Sequence, residues 1–364
     1  MRRLFILSCL AVSLGLATAP APAQEKVVNV YNWSDYIDPQ ILEDFRKETG
    51  IRVVYDVFDT NELLETKLLA GGSGYDVVVP TATFLSRQIK AGVFRKLDRS
   101  KLPNLKNAWD FVMKRIERYD PGNQHAINYM WGTTGLGYNV AKIKERMPDA
   151  PVDSWRLVLD PDVVKRFADC GIHVLDAPED ILPGVLDYLG LDPNSKKPED
   201  IEKAMGHLAK IRPHIRKFHS SEYINALANG DICLVIGYSG DVLQAKKRAE
   251  EAKNGIDIAY AIPKEGAQMW FDTMAIPADA PHPDAAHAFI DYILRPEVAA
   301  KASNFIRYAN GNKASQPLID PEVRNNPSVY PPEDVLQRLF TIDIFDPKSQ
   351  RTVTRAWTRL KTGS

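Results

Sequence analysis

The first third of the chain alternates short apolar runs with helical segments, and this alternation constrains the fold more than any other feature. Strands are predicted at 27–31, 51–58 and 76–80. Helices are predicted from Pro39 to the residue before Gly50, from Thr60 onward, and over 85–90. Proline at the first helical position and glycine just past the end are typical of helix termini. The β-α-β-α-β order predicts an α/β fold with a parallel sheet covered by helices.

The rest of the chain continues in this style and is long enough for a second lobe. Further β-rich runs are predicted at 171–176, 231–240 and 256–277, with helices between them. About 340 residues remain after residues 1–23, which is more than one core usually serves. We predict two lobes joined by strands crossing near 130–137, 258–264 and 312–320, with a ligand cleft between them. The predicted division gives 27–132 and 264–316 to lobe 1, and 133–263 and 317–364 to lobe 2.

Residues 1–23 have the features of a secretory signal peptide. Arg2 and Arg3 precede an apolar stretch that ends in Ala-Pro-Ala at Ala23. This order of a basic start, an apolar middle and a small-residue end is typical of cleaved export signals. No later segment is apolar for the roughly 18 residues that a membrane span needs. The sequence therefore predicts an exported, periplasmic protein.

Charge and cysteine content restrict the partners further. Loss of Arg2 and Arg3 leaves 44 basic against 47 acidic residues, a net charge of −3. Nucleic-acid-binding proteins carry a basic surface instead, so no nucleic-acid partner is predicted. Cys170 and Cys233 each lie beside a predicted strand. In an oxidising compartment they either form a disulfide or stay two buried free thiols, and the pattern leaves both open.

Aromatic rings and carboxylates recur where the predicted strands end. In open α/β sheets, ligands bind just outside the carboxyl ends of the strands. The residues at these strand exits that we predict to form a ligand site are Trp33, Ser34, Asp35, Tyr36, Thr81, Phe84, Glu179, Tyr238, Asp241, Trp270, Asp272 and Tyr308.

This combination of side chains suits a slender cation with an apolar spine. An ammonium group gains from carboxylate partners at short distances, and the face of an aromatic ring adds about 0.5–2 kcal/mol. Four buried methylenes contribute roughly 3 kcal/mol, at about 0.8 kcal/mol each. A linear diamine meets both demands, with acids at its two ends and rings along its middle.

Other interpretations stay open for single residues and for the class of ligand. One ring after a strand is usually an edge of the core, and an Asp there often caps a helix, as Asp241 would. Asp38 and Asp180 are predicted to be structural. Sugars are also held by stacked rings and carboxylates, so a sugar-binding protein is the alternative from a different ligand class.

Catalytic and metal-binding motifs are missing from the sequence. Residues 237–241 read Gly-Tyr-Ser-Gly-Asp, so the last glycine of the G-x-S-x-G nucleophile elbow is replaced. Residues 71–76 lack the Lys-Ser/Thr pair of a phosphate-binding loop. The seven histidines are scattered without zinc-ligand spacing. A binding protein without enzymatic activity, metal or cofactor is therefore predicted.

The sequence resembles the periplasmic polyamine-binding proteins of ABC importers, and most closely the putrescine-binding members. The resemblance spans about residues 26–364 and includes YNWSDYIDP, YDVVVP, YMWGTTGLGYN, LDAPED and FHSSEYINALANGDICLVIG. It implies a type II periplasmic-binding-protein fold with two lobes that close around the ligand. It also implies a membrane permease as partner and, as the default state, a monomer.

The resemblance further implies a role for each site residue. The aromatic box around the methylenes would be formed by Trp33, Tyr36, Tyr238, Trp270 and Tyr308. The amines would be bound by Asp35, Asp241 and Asp272, with Glu179 reaching one end directly or through water. Ser34 and Thr81 would add hydroxyl contacts, and Phe84 would shape one end. The resemblance favours a Cys170–Cys233 disulfide and putrescine as ligand, with spermidine, cadaverine and agmatine as alternatives.

Overall fold

The computed structural model describes residues 26–362, which form a two-lobed α/β fold. The predicted signal peptide lies outside these described residues. Between residues 26 and 362, no helix is both long and apolar enough to cross a bilayer. The strands are β1 (Val27–Trp33), β2 (Arg52–Phe58), β3 (Val77–Val78), β4 (Ala126–Asn139), β5 (Ile172–Val174), β6 (Lys217–Phe218), β7 (Leu234–Tyr238), β8 (Ile258–Ala261), β9 (Ala267–Ala275), β10 (Ala309–Asn310) and β11 (Leu339–Phe340).

Helices cover the faces of these strands. The α-helices are α1 (Pro39–Thr49), α2 (Asn61–Leu69), α3 (Ala82–Lys90), α4 (Asp110–Ile116), α5 (Val140–Arg146), α6 (Arg156–Leu159), α7 (Pro161–Val164), α8 (Pro178–Tyr188), α9 (Pro198–Ile211), α10 (Tyr223–Ala228), α11 (Ser239–Ala252), α12 (Pro283–Ile293), α13 (Pro296–Ile306), α14 (Pro321–Arg324), α15 (Glu333–Leu336) and α16 (Pro347–Thr362). Short 3₁₀ helices lie at Arg99–Lys101, Pro103–Asn107, Lys165–Phe167, Arg212–His214 and Lys313–Leu318.

The first lobe is built on the parallel strands β2, β1 and β3, in that order. Asp38 caps α1 by accepting a hydrogen bond from the backbone N–H of Gln40, and Gly50 ends the helix with a left-handed φ of 70°. The ring of Phe45 in α1 packs edge-on against Phe289 of α12, with 5.3 Å between centroids. The predicted strand and helix order of this region is confirmed, and so is the structural role of Asp38.

The second lobe repeats the arrangement around β5, which pairs in parallel with β6 and β7. Its core packs the side chains of α6 to α11 against these strands. Cys170 and Cys233 form a disulfide with 5.5 Å between their Cα atoms, a normal separation for this bond. The bond joins the segments that enter β5 and β7. The alternative of two free thiols is therefore wrong.

Strand β4 connects the two lobes. Its first half, Ala126–Thr133, pairs with β9 in the first lobe. Its second half pairs with β7 and β8 in the second lobe, from Thr134 to Asn139. The chain returns to the first lobe between β8 and β9. Strand β4 and the segment between β8 and β9 thus pass between the lobes, and the space between the lobes borders β4 and β9.

The last fifty residues of the described chain contact both lobes. Residues 313–329 still belong to the first lobe, because Val323 and Val329 pack in one cluster with Trp131. Residues 341–342 contact both lobes: Tyr119 of the first lobe donates a hydrogen bond to the carbonyl of Ile342 at 2.7 Å, and the side-chain amide of Asn194 donates to the carbonyl of Thr341 at 3.0 Å. The crossing near 312–320 stays a prediction. The full division into two lobes by residue range stays a prediction.

Candidate functional site

A cavity between the lobes brings together most of the residues that follow the strands. We call it the main cavity. It is lined by Trp33, Ser34, Tyr36, Phe58, Asp59, Thr81, Asp180, Ser220, Ser221, Tyr238, Asp241, Trp270, Asp272 and Tyr308. Nine of the twelve predicted site residues are among these fourteen. Their roles toward a ligand stay a prediction, and the geometry below describes what the arrangement can bind.

Asp272 lies on β9, where the strand passes between the lobes. Its two carboxylate oxygens accept hydrogen bonds from the hydroxyls of Tyr36, at 2.8 Å, and Thr81, at 2.7 Å. The side chain is buried, and this burial raises the pKa of Asp272 to about 7, with the charges of Asp180 and Asp241 adding to the effect. The carboxylate is therefore oriented by neutral donors, and no Lys, Arg or His within residues 26–362 forms an ion pair with it.

Asp241 lies in the first turn of α11, which begins at Ser239. The predicted alternative, a capping role, does not hold, because the helix starts before Asp241 and its side chain turns to the cavity. Its oxygens accept hydrogen bonds from Tyr308 at 2.6 Å and Tyr223 at 2.7 Å. Burial raises the pKa of Asp241 to about 6. Like Asp272, it is held by two phenol or hydroxyl donors.

The prediction that Asp180 is structural is corrected by its position in the main cavity. It lies in the first turn of α8 and lines the main cavity. Tyr238 donates to one oxygen at 2.8 Å, and the side-chain amide of Gln268 donates to the other at 3.0 Å. Burial raises the pKa of Asp180 to about 6. A third carboxylate therefore faces the space between the lobes.

These three carboxylates share one property. Among residues 26–362, the hydrogen bonds to Asp180, Asp241 and Asp272 come from neutral groups, and no Lys, Arg or His forms an ion pair with them. Isolated buried carboxylates are costly unless a cation compensates them. The main cavity thus presents three carboxylates without an ion-pair partner at positions that a cationic ligand can reach.

Aromatic rings form the walls between these acids. Trp270 meets Tyr238 edge-on at 5.5 Å and Tyr308 at 5.4 Å between ring centroids. Tyr36 meets Tyr308 in the same edge-on geometry at 5.2 Å. On the other side, Trp33 lies 4.6 Å from Phe58. Such a wall can contact methylenes and ammonium groups through ring faces.

Two glycines permit this close packing of rings. A Cβ atom at Gly132 would lie 2.8 Å from the indole of Trp270, and one at Gly240 would lie 2.3 Å from the ring of Tyr308. Both distances are shorter than real carbon contacts, so a side chain at either position would displace a wall of the cavity. Gly132 lies within β4 and Gly240 in the first turn of α11, and the need for close approach at both positions is visible only in three dimensions.

Three predicted residues lie outside the main cavity. Asp35 has a left-handed backbone, with φ of 55°, and its carboxylate pairs with Arg248 of α11 at 2.8 Å. Phe84 and Glu179 line an adjoining space, which we call the side cavity. The side cavity is lined by Trp33, Asp59, Thr60, Asn61, Glu62, Phe84, Ala177, Glu179, Asp180, Ser220 and Tyr238. Since five residues line both spaces, the side cavity continues the main one.

Sequence reasoning missed several lining residues. Phe58 is the last residue of β2 and Asp59 follows it, so the rule that found the other strand exits would have found them. Asp59 accepts a hydrogen bond from Ser34 at 2.9 Å. Ser220 and Ser221 follow β6, a two-residue strand without a clear sequence pattern. In the described part of the chain, no group of three or more His, Cys, Asp or Glu residues is arranged to hold a metal ion.

Comparison with known proteins assigns the family. Residues 40–331 match the model of the bacterial extracellular solute-binding proteins. The chain belongs to this family. The putrescine-binding periplasmic protein PotF of Escherichia coli (strain K12) is 54% identical over 356 residues, 97% of this chain and 95% of that protein. The putrescine-binding periplasmic protein SpuD of Pseudomonas aeruginosa (strain UCBPP-PA14) is 53% identical over 350 residues, 96% and 95% of the two chains.

A solved structure supports the same assignment for the fold. The spermidine/putrescine ABC transporter substrate-binding protein PotD from Streptococcus pneumoniae superposes with a TM-score of 0.74 at 29% identity. The match covers 93% of this chain and 99% of that one. This solute-binding protein therefore has the predicted two-lobed fold, and its main cavity lies between the lobes.

Proposed function

We propose that this solute-binding protein captures putrescine, a linear diammonium, in the periplasm and delivers it to the membrane permease of an ABC importer. The observation that carries the proposal is the set of three carboxylates, Asp180, Asp241 and Asp272, without a cation in an aromatic cavity. Each is already oriented by two neutral donors, so binding needs little rearrangement of the acids. The names of the relatives, 53–54% identical over nearly the whole chain, support the same ligand.

The charges favour a diammonium over a neutral ligand. A sugar would leave three buried carboxylates uncompensated, and each uncompensated charge is expensive in a low-dielectric site. Two ammonium groups compensate two of these charges through charge-assisted hydrogen bonds, worth about 1.5–3 kcal/mol each. Four methylenes against the rings add roughly 3 kcal/mol. These contributions reach the roughly 8 kcal/mol that a micromolar site requires, before ordering costs, once ring–cation contacts are included.

A ligand that binds residues of both lobes favours closure of the lobes. Asp272 and Trp270 belong to the first lobe, while Asp180 and Asp241 are carried by helices of the second. Tyr238 packs against both cores. A ligand that contacts acids on both lobes stabilises the closed form, because it binds that form more tightly than the open one. The closed, loaded protein is then the species that the permease recognises. It acts by binding and release, without chemical turnover.

Calorimetric titration of the mature protein tests the proposal. The protein is denatured and refolded first, which removes any ligand carried through purification. It is then titrated with putrescine, spermidine, cadaverine, agmatine and a neutral sugar. We expect one-to-one binding of putrescine with micromolar or tighter affinity and no heat with the sugar. Tighter binding of another polyamine would keep the class of ligand and replace its identity, whereas binding of the sugar alone would overturn the proposal.

A further inference from the structure

Arg87 of α3 stands beside the side cavity and forms an ion pair with Glu179, one of its acids. Its guanidinium binds both oxygens of Glu65 in α2, at 2.5 and 2.7 Å. Its third nitrogen lies 3.4 Å from Glu179 of α8 and 3.5 Å from the side-chain oxygen of Gln350 in α16. The guanidinium carbon sits 3.8 Å from the ring centroid of Phe84. A positive charge is thus held firmly between the two lobes.

The side cavity would otherwise be a second site for ammonium. Its lining includes four acids, Asp59, Glu62, Glu179 and Asp180. Glu179 is buried, with 7% of its surface exposed, and its nearest cation is Arg87. Burial raises the pKa of Glu179 to about 7, and the charge of Arg87 opposes this rise. Glu179 therefore already has the cation that the three acids of the main cavity lack.

A longer polyamine has to use this side cavity. The main cavity offers three acids to two ammonium groups, and the side cavity continues it past Trp33 and Tyr238. A triamine that places two ammonium groups in the main cavity directs its third toward Glu179. There it meets the fixed charge of Arg87, and two like charges in a partly buried site repel each other strongly.

We propose that Arg87 serves as a built-in third cation that selects diammonium over triammonium ligands. The inference rests on the proposed function, because it names the feature that sets ligand length at the same site. Arg87 forms an ion pair with Glu179 and packs on the ring of Phe84. It does not line the main cavity, so its role is in ligand specificity.

The test compares the affinities of Arg87→Gln for putrescine and spermidine by calorimetry. In Arg87→Gln, we expect the dissociation constant for spermidine to fall at least tenfold relative to that for putrescine. The reason is that Glu179 can then pair with an ammonium group of the ligand. Arg87→Lys keeps the charge and should hold the ratio within about threefold of the unsubstituted protein. Adding Glu179→Gln to Arg87→Gln should cancel most of the shift, since the freed acid is removed.

A second variant tests the idea in the opposite direction, and also if Arg87→Gln does not fold. Glu179→Gln alone leaves Arg87 without its partner on α8, so spermidine should weaken more than putrescine, by about threefold or more. Equal weakening of both ligands in Glu179→Gln and in Arg87→Gln would overturn the inference and leave Arg87 as a contact between the lobes. Arg248→Gln supplies the matched control, because Arg248 also joins the lobes through Asp35 and should weaken both ligands alike.

The outcomes separate this inference from the proposed function. If the unsubstituted protein binds no polyamine, the proposed function fails. If it binds putrescine and the ratio stays unchanged in Arg87→Gln, only the role of Arg87 fails.

Discussion

The main cavity and the side cavity are both rich in acids, yet they differ in charge balance. In the main cavity, Asp180, Asp241 and Asp272 are held by hydroxyl, phenol and amide donors. In the side cavity, Glu179 has Arg87 at 3.4 Å. A count of acids therefore does not identify a cation site. What matters is whether the protein itself supplies the cation.

Neutral donors and a guanidinium stabilise a buried carboxylate in different ways. Phenol and hydroxyl groups fix the direction of its lone pairs but leave its charge for a ligand. A guanidinium satisfies both the direction and the charge, so a ligand ammonium gains less there. The main cavity is therefore prepared for a cation, whereas Glu179 of the side cavity is already paired with one.

Asp272→Asn should give the largest effect and tests the main cavity most directly. An ammonium that loses its buried carboxylate costs about 3–5 kcal/mol, which lowers putrescine affinity by several hundredfold or more. Glu179→Gln is the matched variant from the side cavity, and we expect less than tenfold loss of putrescine affinity from it. Both are measured by calorimetry. Equal losses in the two variants would break the distinction between the cavities.

Acidification should give the second-largest loss of putrescine affinity. Burial raises the pKa of Asp272 to about 7, so this carboxyl must lose a proton when an ammonium binds at lower pH. Affinity then falls about tenfold per pH unit below the pKa, or roughly 30-fold between pH 7.5 and 5.5. Titrations across this range, in buffers of different ionisation heat, also report proton release. Constant affinity would mean that Asp272 stays charged without ligand.

Acidification should increase the folding stability of the ligand-free protein, although it weakens ligand binding. A carboxyl with a raised pKa in the folded state holds its proton more tightly there than in the unfolded chain, where its pKa is about 3.9. Stability from this source is present at low pH and is lost as pH rises toward 7. Thermal melting should therefore show putrescine stabilising the protein more at pH 7.5 than at pH 5.5.

Trp33→Ala should weaken putrescine by about tenfold, because one ring face is lost from the wall. Trp131→Ala is the control, since Trp131 is buried in the first lobe outside the cavity, where its indole N–H bonds the carbonyl of Asn310. We expect the Trp131 variant to lose more melting temperature and the Trp33 variant to lose more affinity. A large loss of melting temperature in ligand-free Trp33→Ala would instead place that ring in the core.

Asp35→Asn should have the smallest effect, at most about threefold on putrescine. Asp35 pairs with Arg248 near the surface, and exposed ion pairs are usually worth about 0–1 kcal/mol. The sequence analysis assigned this residue to the amines, which predicts a loss comparable with that of Asp272→Asn. Calorimetry on the two variants side by side decides between these expectations.

Local sequence signals predicted much of the fold. Pro39, Gly50 and Thr60 mark helix ends through backbone conformation and short-range hydrogen bonds, and the structure has those ends. Alternating strands and helices also predicted the α/β class, because apolar periodicity determines which face each element buries. The packing of Val323 and Val329 against Trp131 could not be predicted in this way, since these residues lie far apart in sequence.

Sequence position alone indicates that Trp33 and Asp241 reach the space between the lobes, because each lies where a strand ends and strand ends are local features. Asp272 also lines the main cavity, but it lies inside the antiparallel strand β9, so the strand-end rule does not explain its position. The direction in which each acid points follows from tertiary contacts. Asp180 and Glu179 are neighbours on α8, where successive side chains diverge by about 100°. One lines the main cavity without a cation, while the other meets Arg87. Charge balance depends on such distant partners, so it could not be predicted from either residue's place in the sequence.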